Sequence, residues 1–465
     1  MSKPIEIIKD KLFWLSDKNP PKNQPNAFFF NIDHDLVYEP FFADFGPLNL
    51  GMLYRFVIEL DKLVSDAKYS KSKFYHHTSM DTAKRANSAY LMGAYQVLVL
   101  NKTAEEAWEP FANLQPGFTE FRDASYTHCT YKCTILHCLR GLEYAIKLKW
   151  FDMKTFNLRE YEYYEKVDNG DLNWIIPGKF VAFSGPSNQN KDPDGYRRFT
   201  PEDYVPIFKK LGVTTVIRLN NKQYDRERFT KAGIRHHDLY FLDGSCPSDE
   251  IINEFLEIVE QEKGAVAVHC KAGLGRTGSL IAAYAMKHYK FDAPDFIGWI
   301  RICRPGSILG PQQQFLCDKE KFFHQLSADS AIFKSVQGNV QEVWNRREGR
   351  TQADKIESEE QQPMTPLEQK IAAFGDHGQA NRLLNAKHKG KLAVDTCSFD
   401  EIPGDDNFSI GKVPTDNEVL FRGGKISAKA YMSPKSGSSV TTQANSIGSP
   451  LSPYGNGKPV TVNTN

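Results

Sequence analysis

Between residues 174 and 330 the chain alternates short β-branched runs with longer segments whose apolar positions recur every three or four residues. TTVIRL (214–219), HHDLYFLDG (236–244) and the continuous apolar run AVAVHC (265–270) predict strands, the last one buried on both faces. SDEIINEFLEIVEQ (248–261) and RTGSLIAAYAMKHY (276–289) carry the helical period. Thr200-Pro201-Glu202-Asp203 predicts a helix start, with Thr200 as N-cap and Pro201 pre-set for the first turn. Strand and helix therefore alternate, which predicts a parallel-rich α/β sheet flanked by helices.

Residues 1–150 read as a degenerate copy of that plan. KFYHHTSMDTAKRANSAYLMGAYQVLVL (73–100) runs strand, loop, Arg, helix, and Arg85 and Arg276 are each followed three residues later by Ser88 and Ser279. On that correspondence Ser79 stands where Cys270 stands. From about 336 to 465 the chain is rich in Gly, Ser, Asn, Gln, Thr and Pro, and such a composition buries too little apolar surface to offset chain entropy. A disordered tail is expected there.

Composition narrows the partners more than the fold. Across 465 residues, 58 Lys+Arg against 57 Asp+Glu leave a net charge of +1, so no global field draws the protein to nucleic acid or a membrane surface. No apolar run approaches the roughly 20 residues of a membrane span. The start MSKPIEIIKDKLFW lacks the basic-then-apolar profile of a signal peptide, and the eight cysteines are irregularly spaced. They read as reduced thiols of a cytosolic or nuclear protein. Cys129, Cys133 and Cys138, with His128 and His137, have the residue types of a zinc site, but spacings of four and five without a second pair favour buried core thiols.

The loop HCKAGLGRTG (269–278) contains G-x-G-x-x-G at Gly273, Gly275 and Gly278. A dinucleotide site needs a second strand and an acid about 20 residues on, and KHYKFDAPDFIGWIRICRPG (287–306) supplies no strand. No G-x-x-x-x-G-K-[ST] occurs either, so no cofactor and no metal are expected. A phosphate-ester chemistry uses every residue instead. A thiol at a strand-to-helix junction, near a cation and ringed by backbone N–H groups, falls to a thiolate, which makes Cys270 the nucleophile. The amides of Lys271, Ala272, Gly273, Leu274, Gly275 and Arg276 form a nest for phosphoryl oxygens, with the glycines keeping the backbone bare around the anion. Arg276, six residues after the cysteine, clamps two oxygens. By the usual logic of the motif, His269 positions the loop and Thr277 hydrogen-bonds the departing thiolate.

The leaving oxygen needs a proton and the attacking water a base. Asp243 in YFLDGSCPSDE ends the preceding strand, and parallel-sheet loops gather on one edge, so Asp243 is the expected acid. RPGSILGPQQQF (304–315) offers an amide to orient the water, from Gln312 before Gln313 or Gln314, with a polar turn as the equal alternative.

HCKAGLGRTG, FLDGS, RICRPGSILGPQQQF, EYEYYEKVDNGDLNWIIPGKF and RANSAYLMGAY together resemble the cell-division-cycle-fourteen phosphatases over roughly residues 5–330, far more specifically than a Cys-x5-Arg loop alone. These are dual-specificity protein phosphatases that oppose cyclin-dependent kinases at mitotic exit. The resemblance implies two tandem dual-specificity-phosphatase-like domains: 1–150 without a catalytic cysteine, a linker helix in 151–173, and a catalytic domain in 174–335. It gives Cys270, Arg276 and Asp243 the three catalytic roles. It places Glu162 and Glu165 in an acidic groove for a Lys or Arg about three residues after a phosphoserine-proline. It also implies placement in nucleus, nucleolus and cytoplasm, with centrosome or spindle association. Cys246 departs from the family's usual threonine in the acid loop, and a reversible disulfide with Cys270 would follow under oxidation.

Two other readings compete. An inositol-lipid phosphatase would want a cation where Leu274 stands, and a phosphoprotein scaffold would not need an intact Cys, Arg and Asp set. Thr365, Ser433, Ser449 and Ser452, each before proline, are expected kinase targets in the tail.

Overall fold

The computed structural model of the chain describes residues 3–19, 26–126, 129, 131–191, 195, 197–348 and 379–391, with two short strands at Glu418–Val419 and Ala428–Lys429. Two sheets lie in tandem. The first holds β1 (Ile5–Ile8), β2 (Leu12–Ser16), β3 (Ala27–Phe30) and β4 (Lys73–Thr78) in the order β1-β2-β4-β3. The second holds β5 (Leu172–Ile176), β6 (Phe180–Phe183), β7 (Val213–Arg218), β8 (Arg235–Asp238) and β9 (Ala265–His269) in the order β5-β6-β9-β7-β8. Each is parallel except for one antiparallel edge strand, β1 on β2 and β5 on β6.

The local physics behind the second sheet is plain. All five residues of β9 are buried because helices cover both faces, so no polar alternation appears in AVAVH. Helix Asp249–Gln261 is capped by Ser248, whose hydroxyl accepts from Ile251 N, and buries Ile252, Phe255, Leu256 and Val259 along one stripe. Helix Pro201–Lys210 starts at the expected cap, closed by the Thr200–Asp203 capping box. The strand expected over 236–244 is shorter: β8 stops at Asp238, and Leu239 N and Phe241 N bond irregularly to Arg218 O and Leu219 O as the chain leaves the sheet.

The first sheet carries the same plan with its chemistry removed. β4 runs into helix Thr82–Leu98 through three residues, 79–81, whereas β9 reaches helix Gly275–Tyr289 through five. Three residues do not wrap an anion. Ser79 N instead donates to Asp33, whose carboxylate also accepts from Thr78, and Arg85 is parked on Gly117 O with its guanidinium 4.0 Å from the Phe118 ring centre.

The linker helix is shorter than 151–173: asparagine-capped Leu158–Glu165, then a 3-10 turn at Val167–Asn169. Most of the tail from 336 lies outside the described residues, but helix Ala331–Glu348 runs well past that boundary. Val340, Val343 and Trp344 are buried; Trp344 Nε1 donates to Tyr144 Oη at 2.7 Å, and Arg347 reaches Asp292 and Asp295 at 2.8 Å each. The helix thus ties Ile135–Lys147 of the first domain to Ala293–Cys303 of the second. No helix among the described residues is long and apolar enough to cross a membrane.

Candidate active site

A nest of inward amides requires outward carbonyls, so the first question is where each C=O of the loop goes. His269 O accepts from Leu219 N at 2.9 Å, Cys270 O faces His269 Nδ1 at 2.7 Å, and Lys271 O accepts from Gly185 N at 2.9 Å. Ala272 O and Gly273 O accept from Arg304 Nη2 and Nε at 3.0 and 2.8 Å, and Leu274 O accepts from Gly278 N at 3.0 Å. Six successive carbonyls are therefore each engaged, four of them by residues distant in the chain and two by the neighbouring His269 and by Gly278 of the following helix. Cys270 lies inside this ring at 3% exposure and Arg276 at 1%, both on the C-terminal edge of the sheet.

The glycines serve this ring differently from the expectation. A Cβ at Gly273, where φ is +67°, would stand 1.9 Å from Phe183 O, and one at Gly278 would stand 2.7 Å from Ile308. What needs the bare backbone is close approach of β6 and of the 304–311 loop rather than room for the anion.

Arg276 is anchored through Nη1 on Phe241 O at 2.9 Å and presents Nη2 to Asp243 Oδ1 at 3.1 Å. Asp243 is thereby placed beside the loop although 27 positions separate it from Cys270 in sequence. The Thr277 hydroxyl is fully buried with no hydrogen-bond partner among the described residues, a polar group that a sulfur or an oxyanion would satisfy. Gln312 is committed elsewhere: its Nε2 donates to Ser245 O at 3.1 Å and its Oε1 accepts from Leu309 N at 3.1 Å. It joins the acid loop to the 304–311 loop, and each end of its amide keeps one further hydrogen-bonding position. Gln313 bonds Arg301 at 2.6 Å, and Gln314 bonds Asp318 at 2.8 Å.

Beside the two glutamates expected to line an acidic groove, the structure brings a third carboxylate, Asp171, close to Glu165. Glu162 is held in a two-point pair by Arg55, with both contacts at 2.6 Å, which offsets its charge. Glu165 accepts from Asn49 Nδ2 at 2.8 Å, and burial pushes its carboxyl up to about 7. Asp171 is in a left-handed backbone position at φ +48° and is salt-bridged to Arg304 at 2.9 Å. Arg304 is the hinge of the arrangement: one guanidinium holds two loop carbonyls and Asp171 together. Cys129, Cys133 and Cys138 lie apart from it, and Cys133 and Cys138 are fully buried core thiols; His128 lies outside the described residues. Asp292, Glu320 and His324 cluster as metal ligands do, and one polar atom of each is already engaged, by Arg347, Ala293 N and Phe291 O.

Helix Gln379–Lys391 lies over the mouth of the site. Ala380 N donates to Asp243 Oδ2 at 3.1 Å, and Leu383 packs with Ala272, Leu274, Leu309 and Ala124. Lys387 Nζ reaches Asp171 Oδ1 at 2.5 Å, and burial, with Arg304 nearby, draws the ammonium down to about 8. A cation of the chain itself thus pairs with Asp171 and lies near Glu165. Nothing in the tail's composition signalled it, although Leu383, Leu384 and Lys387 do carry helical spacing.

Tandem α/β domains, the second with a Cys-x5-Arg loop between a central strand and its following helix, define the dual-specificity-phosphatase class of architecture. The comparisons agree: the family model for the N-terminal half of dual specificity protein phosphatases matches residues 6–145, and that for the dual specificity phosphatase catalytic domain matches 200–322. The chain belongs to the CDC14 family of dual specificity protein phosphatases. It is 54% identical to mouse CDC14A over 331 residues, 71% of this chain and 54% of the relative. It is 52% identical to human CDC14A over 331 residues, 71% and 55%, and 47% identical to human CDC14C over 313 residues, 67% and 70%. The chain therefore spans about half the length of the two CDC14A relatives.

Proposed function

We propose that this chain hydrolyses phosphate monoesters on protein side chains through a phosphocysteine. Phosphoserine followed by proline, with a basic residue about three positions on, would be its preferred target, as deposited by cyclin-dependent kinases. The observation that carries the reading is the ring of carbonyls held outward from 269 to 274, enclosing Cys270 and Arg276 with Asp243 alongside.

The Cys270 thiolate attacks phosphorus, forming the S–P bond as the P–O bond breaks, while Asp243 delivers a proton to the leaving oxygen. Loop amides and Arg276 stabilise the charge on the equatorial oxygens, where preorganised donors cost no reorganisation. Water then attacks phosphorus, Asp243 takes its proton, and the S–P bond breaks to return the thiolate and release inorganic phosphate. Leu274, fully buried against Leu309 and Leu383, gives the mouth an apolar wall where a polyanionic lipid headgroup would need charge, which favours protein over inositol lipid. The test is steady-state hydrolysis of pSer-Pro-x-Lys and pSer-Pro-x-Glu peptides with EDTA present. EDTA-resistant turnover that prefers Lys is expected; equal rates would remove the groove from the argument, and no turnover would remove the reaction.

Two further outcomes follow from the groove. Because the Glu165 carboxyl is raised to about 7, it is charged at pH 8 and neutral at pH 6, so the Lys-over-Glu ratio of kcat/KM should fall several-fold between those values. A ratio constant with pH would exclude Glu165 as the source of the charge. Second, a chain ending at residue 378 should show a several-fold lower KM for the Lys peptide, because a site filled part of the time by Lys387 has its affinity reduced by the filled fraction. An unchanged KM would mean that the helix leaves the groove in solution.

A further inference from the structure

His269 holds the Cys270 carbonyl, and its other ring nitrogen is engaged as well. Tyr224 Oη lies 2.8 Å from His269 Nε2 and 2.8 Å from His236 Nε2, all three residues being buried. The three come from separate pieces of chain: the end of β9, the loop after β7, and β8. Their hydrogens can be assigned by elimination. Burial holds His269 well below its ordinary value and His236 down to about 4, so both rings are neutral with one donor and one acceptor each. A carbonyl only accepts, so His269 donates from Nδ1 to Cys270 O, and its Nε2 is a bare lone pair. Tyr224 must then donate to that lone pair. The phenol oxygen in turn accepts from His236 Nε2–H, and His236 Nδ1 is left without a hydrogen-bond partner among the described residues. The Tyr224 ring is clamped from the side by Arg218, whose guanidinium lies 4.6 Å from the ring centre and whose Nη1 donates to Tyr224 O at 2.7 Å.

We propose that Tyr224 and His236 are positioning residues of the catalytic loop: acting through His269, they fix the ring orientation that keeps the Cys270 carbonyl turned away from the anion. Without the phenol donor, His269 Nε2 is an unsatisfied buried acceptor. The ring is then held at Nδ1 alone and loses the second point that fixes its orientation, so its 2.7 Å hydrogen bond to Cys270 O is no longer kept in line. That peptide rotates, and the first amides of the nest lose their aim. The proposal rests on the phosphatase reading for its consequence in turnover, but its effect on oxyanion binding stands independently.

The experiment compares Tyr224→Phe, His236→Gln and His236→Leu with the full wild-type chain, measuring kcat, KM and, by calorimetry, the Kd of tungstate as a phosphate-shaped oxyanion. Tyr224→Phe keeps the ring and its packing, and is expected to lower kcat roughly ten-fold with little change in KM, and to weaken tungstate by a similar factor. His236→Gln retains an N–H for the phenol and should stay near wild type, whereas His236→Leu should resemble Tyr224→Phe. Wild-type tungstate affinity in Tyr224→Phe overturns the proposal. So does equal behaviour of the Gln and Leu variants, which separates positioning from packing even where one variant folds poorly. A wild-type chain that binds tungstate but turns over no phosphopeptide would sink the reaction, while the tungstate series would still decide the role of Tyr224.

Discussion

Cys270→Ser in the full chain is expected to lower kcat on every phosphopeptide by about 10⁵-fold while leaving phosphopeptide affinity within a few-fold of wild type. The two halves of that result have separate causes. A serine hydroxyl stays protonated near neutral pH and is no nucleophile without an adjacent base, and the His269 ring is occupied at both nitrogens, by Cys270 O and Tyr224. Binding survives because the cradle is backbone: the carbonyls from 269 to 274 are held by donors of other residues, which the substitution leaves in place. The first domain offers no reserve activity, since its loop of three residues presents Ser79 to its own Asp33. Turnover by kcat and binding by fluorescence polarisation check the two halves. Residual turnover above about a hundredth of wild type would place the nucleophile elsewhere.

What could be read from the sequence divides along physical lines. Wherever one strand or helix buries one face, periodicity was enough: AVAVHC, the helix after Ser248 and the capped start at Thr200 all form as the pattern predicts. The Cys270-to-Arg276 spacing was legible too, because a single loop supplies it. Residues that act across the fold were not. Asp171, Arg304 and Tyr224 carry no local signature, and only the closing of β5, β6 and β9 around the 304–311 loop gives them their partners. Glu162 and Glu165 look alike in EYEYYEK, yet one faces Arg55 and the other Asn49, a distinction set by the first domain. The tail misled through its average composition: NVQEVW already places Val340, Val343 and Trp344 at helical spacing, and a window over the whole tail dilutes it.

Asp243→Asn is expected to separate two classes of phosphoester, and so to identify the proton donor itself. A phenol has a pKa of about 10, so phenoxide leaves with little help, whereas the serine alkoxide is far more basic and leaves only as the alcohol. Loss of the acid should therefore cost about 10²–10⁴-fold in kcat on phosphoserine peptides and markedly less on an aryl phosphate. The substitution is close to isosteric, and the amide oxygen can still accept from Ala380 N; what it gives up is the second acceptor, which meets Arg276 Nη2 at 3.1 Å. A misplaced Arg276 would weaken both substrates alike, because the guanidinium stabilises phosphoryl oxygens common to both. An uneven loss therefore assigns the proton to Asp243, and an even loss assigns the residue to the support of Arg276. The split between the two substrates, measured as kcat on each at one pH, decides between those roles without relying on either absolute rate.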